Sequence, residues 1–160
     1  MRILGVDPGS LITGYGFIDF VNNRLKVLEA GTITPKKKDP LNYRIEHIYC
    51  CLAKLIDEYK PEVLVLEKIY SHHLHPATSN IIGHARGVIC LLSAQKKISL
   101  IEHSVKRIRK AVVGNGNATK QQTRRMICHL LKIQEERLPI DASDALALAI
   151  GFTHIDGRGL

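Results

Sequence analysis

A chain of 160 residues with 45% hydrophobic side chains is of the size that makes one domain around one well-buried core, with no need of a disulfide or structural metal to hold it. Its 23 Lys and Arg against 15 Asp and Glu leave a formal charge of +8, which favours a polyanionic partner such as nucleic acid or an anionic membrane surface. Clustering weighs against charge kept for solubility alone. The stretch from His103 to Gln134 carries Lys106, Arg107, Arg109, Lys110, Lys120, Arg124, Arg125 and Lys132 without one acidic residue, so one face is expected to be strongly positive. The opening Met1-Arg2-Ile3-Leu4-Gly5-Val6-Asp7 lacks the parts of a secretory signal, and no apolar run is long enough to cross a bilayer. A cytoplasmic protein without membrane partners is expected. Cys50, Cys51, Cys90 and Cys128 fall in helix-like patterns without zinc-type spacing and read as reduced, mostly buried apolar residues.

In chain order, Arg2 to Val6, Gly14 to Phe20 and Leu25 to Ile33 are rich in β-branched and aromatic residues and are separated by turn-forming Asp7-Pro8-Gly9-Ser10 and Asn22-Asn23. They predict an antiparallel meander. Leu41, Ile45, Ile48, Leu52, Leu55, Ile56 and Tyr59 recur at helical spacing and predict a helix with one apolar stripe, ended by Pro61. Val63-Leu64-Val65-Leu66 is a buried strand with Glu67 at its carboxyl end. A second helix is predicted over Asn80 to Lys96, with Ile81, Ile82, Ala85, Val88, Ile89 and Leu92 on one face. Ser99 to Glu102 is a short strand. Two basic helical segments follow, divided by Val113-Gly114-Asn115-Gly116, and an alanine-rich helix from about Asp141 to Thr153 closes the chain. The result is one mixed-sheet α/β domain over 1–155, with a flexible tail over 156–160.

Four carboxylates stand among apolar neighbours: Asp7, Glu67, Asp141 and Asp144. On a helix, i and i+3 share a face with Cβ atoms ~5–6 Å apart, so Asp141 and Asp144 can serve one site. If the strands of Asp7 and Glu67 are neighbours, all of these carboxyl groups can meet near one end of the sheet. Like charges held together raise one another's pKa unless cations neutralise them. Hard oxygen ligands without His or Cys favour magnesium or manganese. Taken singly, Asp7 before Pro8-Gly9 could be a turn aspartate, and Asp141 with Asp144 could be a helix cap. Glu67, ending an apolar strand, has no such local duty.

Gly5-Val6-Asp7-Pro8-Gly9-Ser10 with Thr13-Gly14-Tyr15-Gly16, then Glu67, Ala85-Arg86-Gly87, Gly114-Asn115-Gly116-Asn117-Ala118-Thr119-Lys120 and Asp141-Ala142-Ser143-Asp144-Ala145-Leu146-Ala147-Leu148-Ala149 occur in this order. In this the chain resembles the RuvC family of Holliday junction resolvases over nearly its whole length. The resemblance implies an RNase H-like fold with a mixed five-stranded sheet, three meander strands plus two parallel strands, flanked by helices. It implies a homodimer and two divalent ions, Mg2+ with Mn2+ as substitute, held by Asp7, Glu67, Asp141 and Asp144. It further implies paired nicks in four-way junction DNA with 5′-phosphate and 3′-hydroxyl ends, the RuvA and RuvB branch-migration proteins as partners, and a bacterial, nucleoid-associated location.

DNA contacts are expected from Arg107, Arg109, Lys110, Lys120 and Arg124 in the acid-free stretch, and from Tyr70, whose ring could stack on an unpaired base or else belong to the core. Tyr70 stands where the family often has Phe, and His72, His73 and His75 read as a solvated loop. Asn117 is expected to cap the helix that follows, placing Lys120 in its first turn, where it opposes the helix dipole and, with free backbone N–H groups, suits a phosphate. The alternatives are another RNase H-like nuclease, of YqgF type or an RNA:DNA hybrid hydrolase, and a catalytically silent nucleic-acid-binding domain. The intact set Asp7, Glu67, Asp141 and Asp144 argues against silence. A sugar kinase or actin-like ATPase would need a second lobe.

Overall fold

The structure, a computed structural model, describes residues 1–68 and 76–156, with side chains described from residue 80 in the second of these segments. β1 (Arg2–Asp7), β2 (Thr13–Val21) and β3 (Arg24–Ile33) form the meander. Asn22 and Asn23 both take positive φ, 51° and 60°, which is what a two-residue hairpin between Val21 and Arg24 requires. α1 (Leu41–Tyr59), β4 (Val63–Glu67), α2 (Pro76–Gln95), β5 (Ser99–His103), α3 (Val105–Val113), α4 (Lys120–Leu131), a 3-10 turn (Glu135–Arg137) and α5 (Ile140–Ile155) follow. The five-stranded sheet has the order β3-β2-β1-β4-β5, antiparallel across β1, β2 and β3 and parallel across β1, β4 and β5. This is the mixed sheet that the resemblance implies. Among the described residues no helix is long and apolar enough to cross a membrane.

Strand alternation divides the core into two layers. Ile3, Ile18, Val63 and Val65 face α3, α4 and α5, meeting Ile108, Ile127, Leu146 and Phe152. Leu4, Val6, Phe17, Leu64 and Leu66 face α1 and α2, meeting Ile48, Leu52, Ile56, Ala85, Ile89 and Leu92. Of the face predicted on α2, Ala85, Ile89 and Leu92 are buried, but Ile81 is 37% exposed. That helix also starts at Pro76 rather than near Asn80, because its first turn carries no apolar period. Of the cysteines only Cys128 is buried, and Cys50 is exposed. Asp156, expected to open a loose tail, is instead held by His103, its Oδ2 lying 2.6 Å from the buried Nε2.

One close approach positions everything at the site. A Cβ on Gly5 would lie 1.9 Å from the carbonyl oxygen of Ala145, and one on Gly14 would lie 2.0 Å from that of Asp141. The backbone of α5 therefore rests directly on β1 and β2. Ala142, Ala145 and Ala149, all fully buried, keep side-chain bulk out of that contact.

Gly5→Ala should therefore force α5 off the sheet, since the obstacle is backbone. It should destabilise by at least ~1–3 kcal/mol in chemical denaturation. Gly83→Ala on α2, where an added Cβ meets nothing within 4 Å, should be neutral or stabilise by ~0.4–1 kcal/mol.

Candidate active site

Asp7 ends β1 and Glu67 ends β4. The two strands are parallel neighbours with Val6 opposite Leu66, so the two carboxylates stand side by side one register step further on. Asp144 arrives from the second turn of α5, brought in by the contacts at Gly5 and Gly14. Together with Arg109 and Lys120 the three carboxylates line a cleft of about 170 Å³, whose floor includes Val105, Ile108, Thr123, Ala147 and Leu148. Asp141, one turn earlier on α5, does not line the cleft, yet its charge acts on Asp7 and Lys120.

The local structural explanations for these residues fall away. Thr13 Oγ1 donates to the Gly9 carbonyl oxygen at 2.7 Å and closes the turn after Asp7, so the Asp7 carboxylate is not needed there. α5 begins after Pro139 with no side-chain cap, so neither Asp141 nor Asp144 is a capping residue.

Burial, reinforced by Glu67 and Asp144, pushes the Asp7 carboxyl from 3.8 up to about 7, against the pull of Lys120. Burial also raises Glu67, with Lys120, Arg109 and Arg86 opposing it and Asp144 adding to it. Lys120 Nζ donates to Asp144 Oδ2 at 2.6 Å. Burial works to lower the Lys120 pKa, but the hydrogen bond to Asp144 and the fields of Asp144, Asp7 and Asp141 outweigh it and leave the group raised. No group of three or more His, Cys, Asp or Glu side chains among the described residues is arranged to hold a metal ion as it stands. The donor set nevertheless suits a hard cation: all-oxygen, partly desolvated and mutually repelling, with an ammonium bonded to one of its members.

The remaining expectations divide. Arg109 lines the cleft, and Arg107 and Lys110 are exposed on α3. Arg124 turns inward: its Nη2 donates to the carbonyl oxygens of Leu138, at 2.7 Å, and Glu135, which ties α4 to the segment before α5 and gives this group a duty within the fold. The cap of α4 is Thr119, not Asn117; Thr119 forms a capping box with Gln122, while Asn117 N donates to Asn115 Oδ1. Lys120 is still in the first turn, but it is aimed at Asp144 rather than freely outward. Tyr70, His72, His73 and His75 lie outside the described residues.

Sequence reasoning gave no role to Arg86. From α2 its Nη1 donates to the backbone oxygen of Glu67 and its Nη2 pairs with Glu102, so it fixes the strand end that carries a site carboxylate. The signals were its place in the Ala85-Arg86-Gly87 segment and a cation on the apolar side of a helix.

The Asp7 shift makes a prediction that does not depend on any activity. A carboxyl whose pKa is higher folded than unfolded adds stability below about 4, and this is lost as pH rises through about 7. Asp7→Asn should therefore stabilise the protein without divalent cations at pH 8, by at most about 4 kcal/mol, and change little at pH 4. Thermal unfolding of both proteins across that range checks it.

A family model described as Crossover junction endodeoxyribonuclease RuvC matches residues 3–154. Curated proteins of that name are similar over nearly the whole chain. One from Finegoldia magna is 39% identical over 157 residues, 98% of this chain and 94% of its own. One from Alkaliphilus metalliredigens is 36% identical over 154 residues, 96% and 93%. Among solved structures, Thermus thermophilus RuvC in complex with Holliday junction substrate superposes with a TM-score of 0.90 at 20% identity, covering 99% of this chain and 96% of that one, which shows the RNase H-like fold. Family match, identity and fold agree along the full domain, and the chain belongs to the RuvC family of crossover junction endodeoxyribonucleases.

Proposed function

We propose that the cleft between β1, β4 and α5 is the catalytic centre of a Holliday junction resolvase, with Asp7, Glu67 and Asp144, assisted by Asp141, as its catalytic and metal-holding carboxylates. As a member of its family the chain is a DNA endonuclease acting on crossover junctions. The observation that carries the site is the meeting of three carboxylates from β1, β4 and α5 with Lys120 and Arg109 in one cleft.

Bound there, divalent cations, two Mg2+ or in their place Mn2+, supply Lewis-acid charge at the scissile phosphate. The protein's own part is to hold the oxygen donors in a desolvated, fixed array on strand ends and a packed helix. Arg109 meets the phosphate as it enters. Lys120, which donates to Asp144, does the same from the first turn of α4. Arg107 and Lys110, exposed on α3, take the flanking backbone, and to Tyr70, outside the described residues, we assign stacking on an unpaired base. The products are nicks with 5′-phosphate and 3′-hydroxyl ends.

One domain with one such cleft cuts one strand at a time, so paired nicks in a nearly two-fold symmetric substrate call for a symmetric homodimer. RuvA and RuvB are the partners that fit the family role, in the bacterial cytosol with the nucleoid.

Cleavage of a four-way junction should require Mg2+ or Mn2+. Asp7→Asn, Glu67→Gln and Asp144→Asn should each lower it by roughly 10²-fold or more while leaving junction binding nearly intact. Gel assays of cutting and binding on the same DNA check this. A fully active Glu67→Gln protein, or linear duplex cut as readily as the junction, would overturn the reading.

A further inference from the structure

The phosphate contacts proposed above lie on α3 and α4, the layer that packs with α5. A second basic element stands on the opposite side of the carboxylates. Gly14 of β2 pairs with both Asp7 of β1 and Thr32 of β3, and Thr13 pairs with Ile33. The exit of β3 is therefore at the same end of the sheet as Asp7. In the order β3-β2-β1-β4-β5 it is two strands away, or about 10 Å.

Beyond Ile33 the chain turns, with Asp39 N donating to the Lys36 carbonyl oxygen at 3.0 Å. Lys36, Lys37 and Lys38 are all exposed there. Apart from half-buried Asp39 the turn carries no acid, and none of the three lysines has an ion-pair partner among the described residues. The turn leads into α1, whose first turn exposes Asn42 and leaves Tyr43 57% exposed. Arg44 Nη1 reaches the Ser10 carbonyl oxygen at 3.5 Å, which ties this part of α1 to the turn after Asp7.

Three adjacent ammonium groups repel one another, and among the described residues no ion pair offsets that cost. Lysines kept for solubility could stand anywhere on the surface. These stand at the cleft end of the sheet, on the α1 side, with the acidic cleft between them and the basic face of α3 and α4. Two positive surfaces separated by a negative one match a substrate whose backbone diverges into separate arms better than a single straight duplex.

We propose that Lys36, Lys37 and Lys38, with Tyr43 beside them, form a second DNA-backbone contact that holds one junction arm on the α1 side, while α3 and α4 hold another. The proposal rests on the resolvase reading and adds to it the surface that distinguishes a branched from a linear substrate.

The test is binding without divalent cations, so that nothing is cut, to a four-way junction and to a linear duplex with the sequence of one arm, across a salt series. For the protein with all three lysines replaced by Gln, the log-log salt slope on the junction should fall by about two to three units, close to 0.9 per phosphate contact. On the linear duplex it should change by less than one unit. Tyr43→Ala should weaken junction binding while keeping the slope. An unchanged junction slope, or an equal fall on both DNAs, overturns the second-arm contact. Failure of the unsubstituted protein to prefer the junction overturns the resolvase reading itself, and is seen before any variant is made.

Discussion

Everything at the cleft depends on how closely the backbone of α5 can lie on the sheet. Gly5 and Gly14 have no room for a single methyl group, because carbonyl oxygens of α5 occupy the space. An ordinary helix with larger side chains on this face would sit well above the strands and hold its carboxylates away from Asp7. The glycines of β1 and β2 and the alanines of α5 are thus one device, and its product is a distance. It brings Asp144 to the ends of β1 and β4 with backbone precision rather than through long, freely rotating side chains. Gly5 lies only two residues before Asp7, so the packing contact and the chemical group share one strand.

The electrostatics of the cleft follow from that enforced crowding. Three carboxylates from separate elements are partly desolvated together, and burial drives Asp7 up to about 7. Such an arrangement works against folding above neutral pH, and a protein keeps it where the charge has a use. Lys120 offsets part of the cost by bonding to Asp144. Arg86, from α2, holds the backbone of Glu67, and Arg109, from α3, lines the cleft beside Lys120.

Much of this was legible in the sequence because it is written in periodicities. The meander, the apolar run of β4 and the stripe on α1 follow from spacing alone, and a carboxylate at the end of an apolar strand signals itself, as Glu67 does. What was not legible depends on where long side chains turn. Arg124 and Arg109 sit in the same acid-free stretch and look alike in sequence, yet Arg124 serves backbone carbonyls and Arg109 the cleft. The bond of Lys120 to Asp144 was not legible because the two residues lie in different helices. The cap of α4 was misplaced by two residues because Asn117 and Thr119 are both good caps, and only the reciprocal bonds between Thr119 and Gln122 decide between them. The start of α2 was missed because Pro76 to Ser79 has no apolar repeat to read, and exposed Cys50 shows that a position within a helix does not tell which way it faces.

The account's central claim is that the crowded carboxylates of β1, β4 and α5 form a site for divalent cations. Calorimetric titration of the DNA-free protein with Mn2+ at pH 8 tests it most directly, comparing the unsubstituted chain with Asp7→Asn and Asp144→Asn. The account predicts saturable binding to the first, and binding that is weakened or abolished in each variant. Binding equally strong in all three proteins, or none in the unsubstituted one, would contradict it.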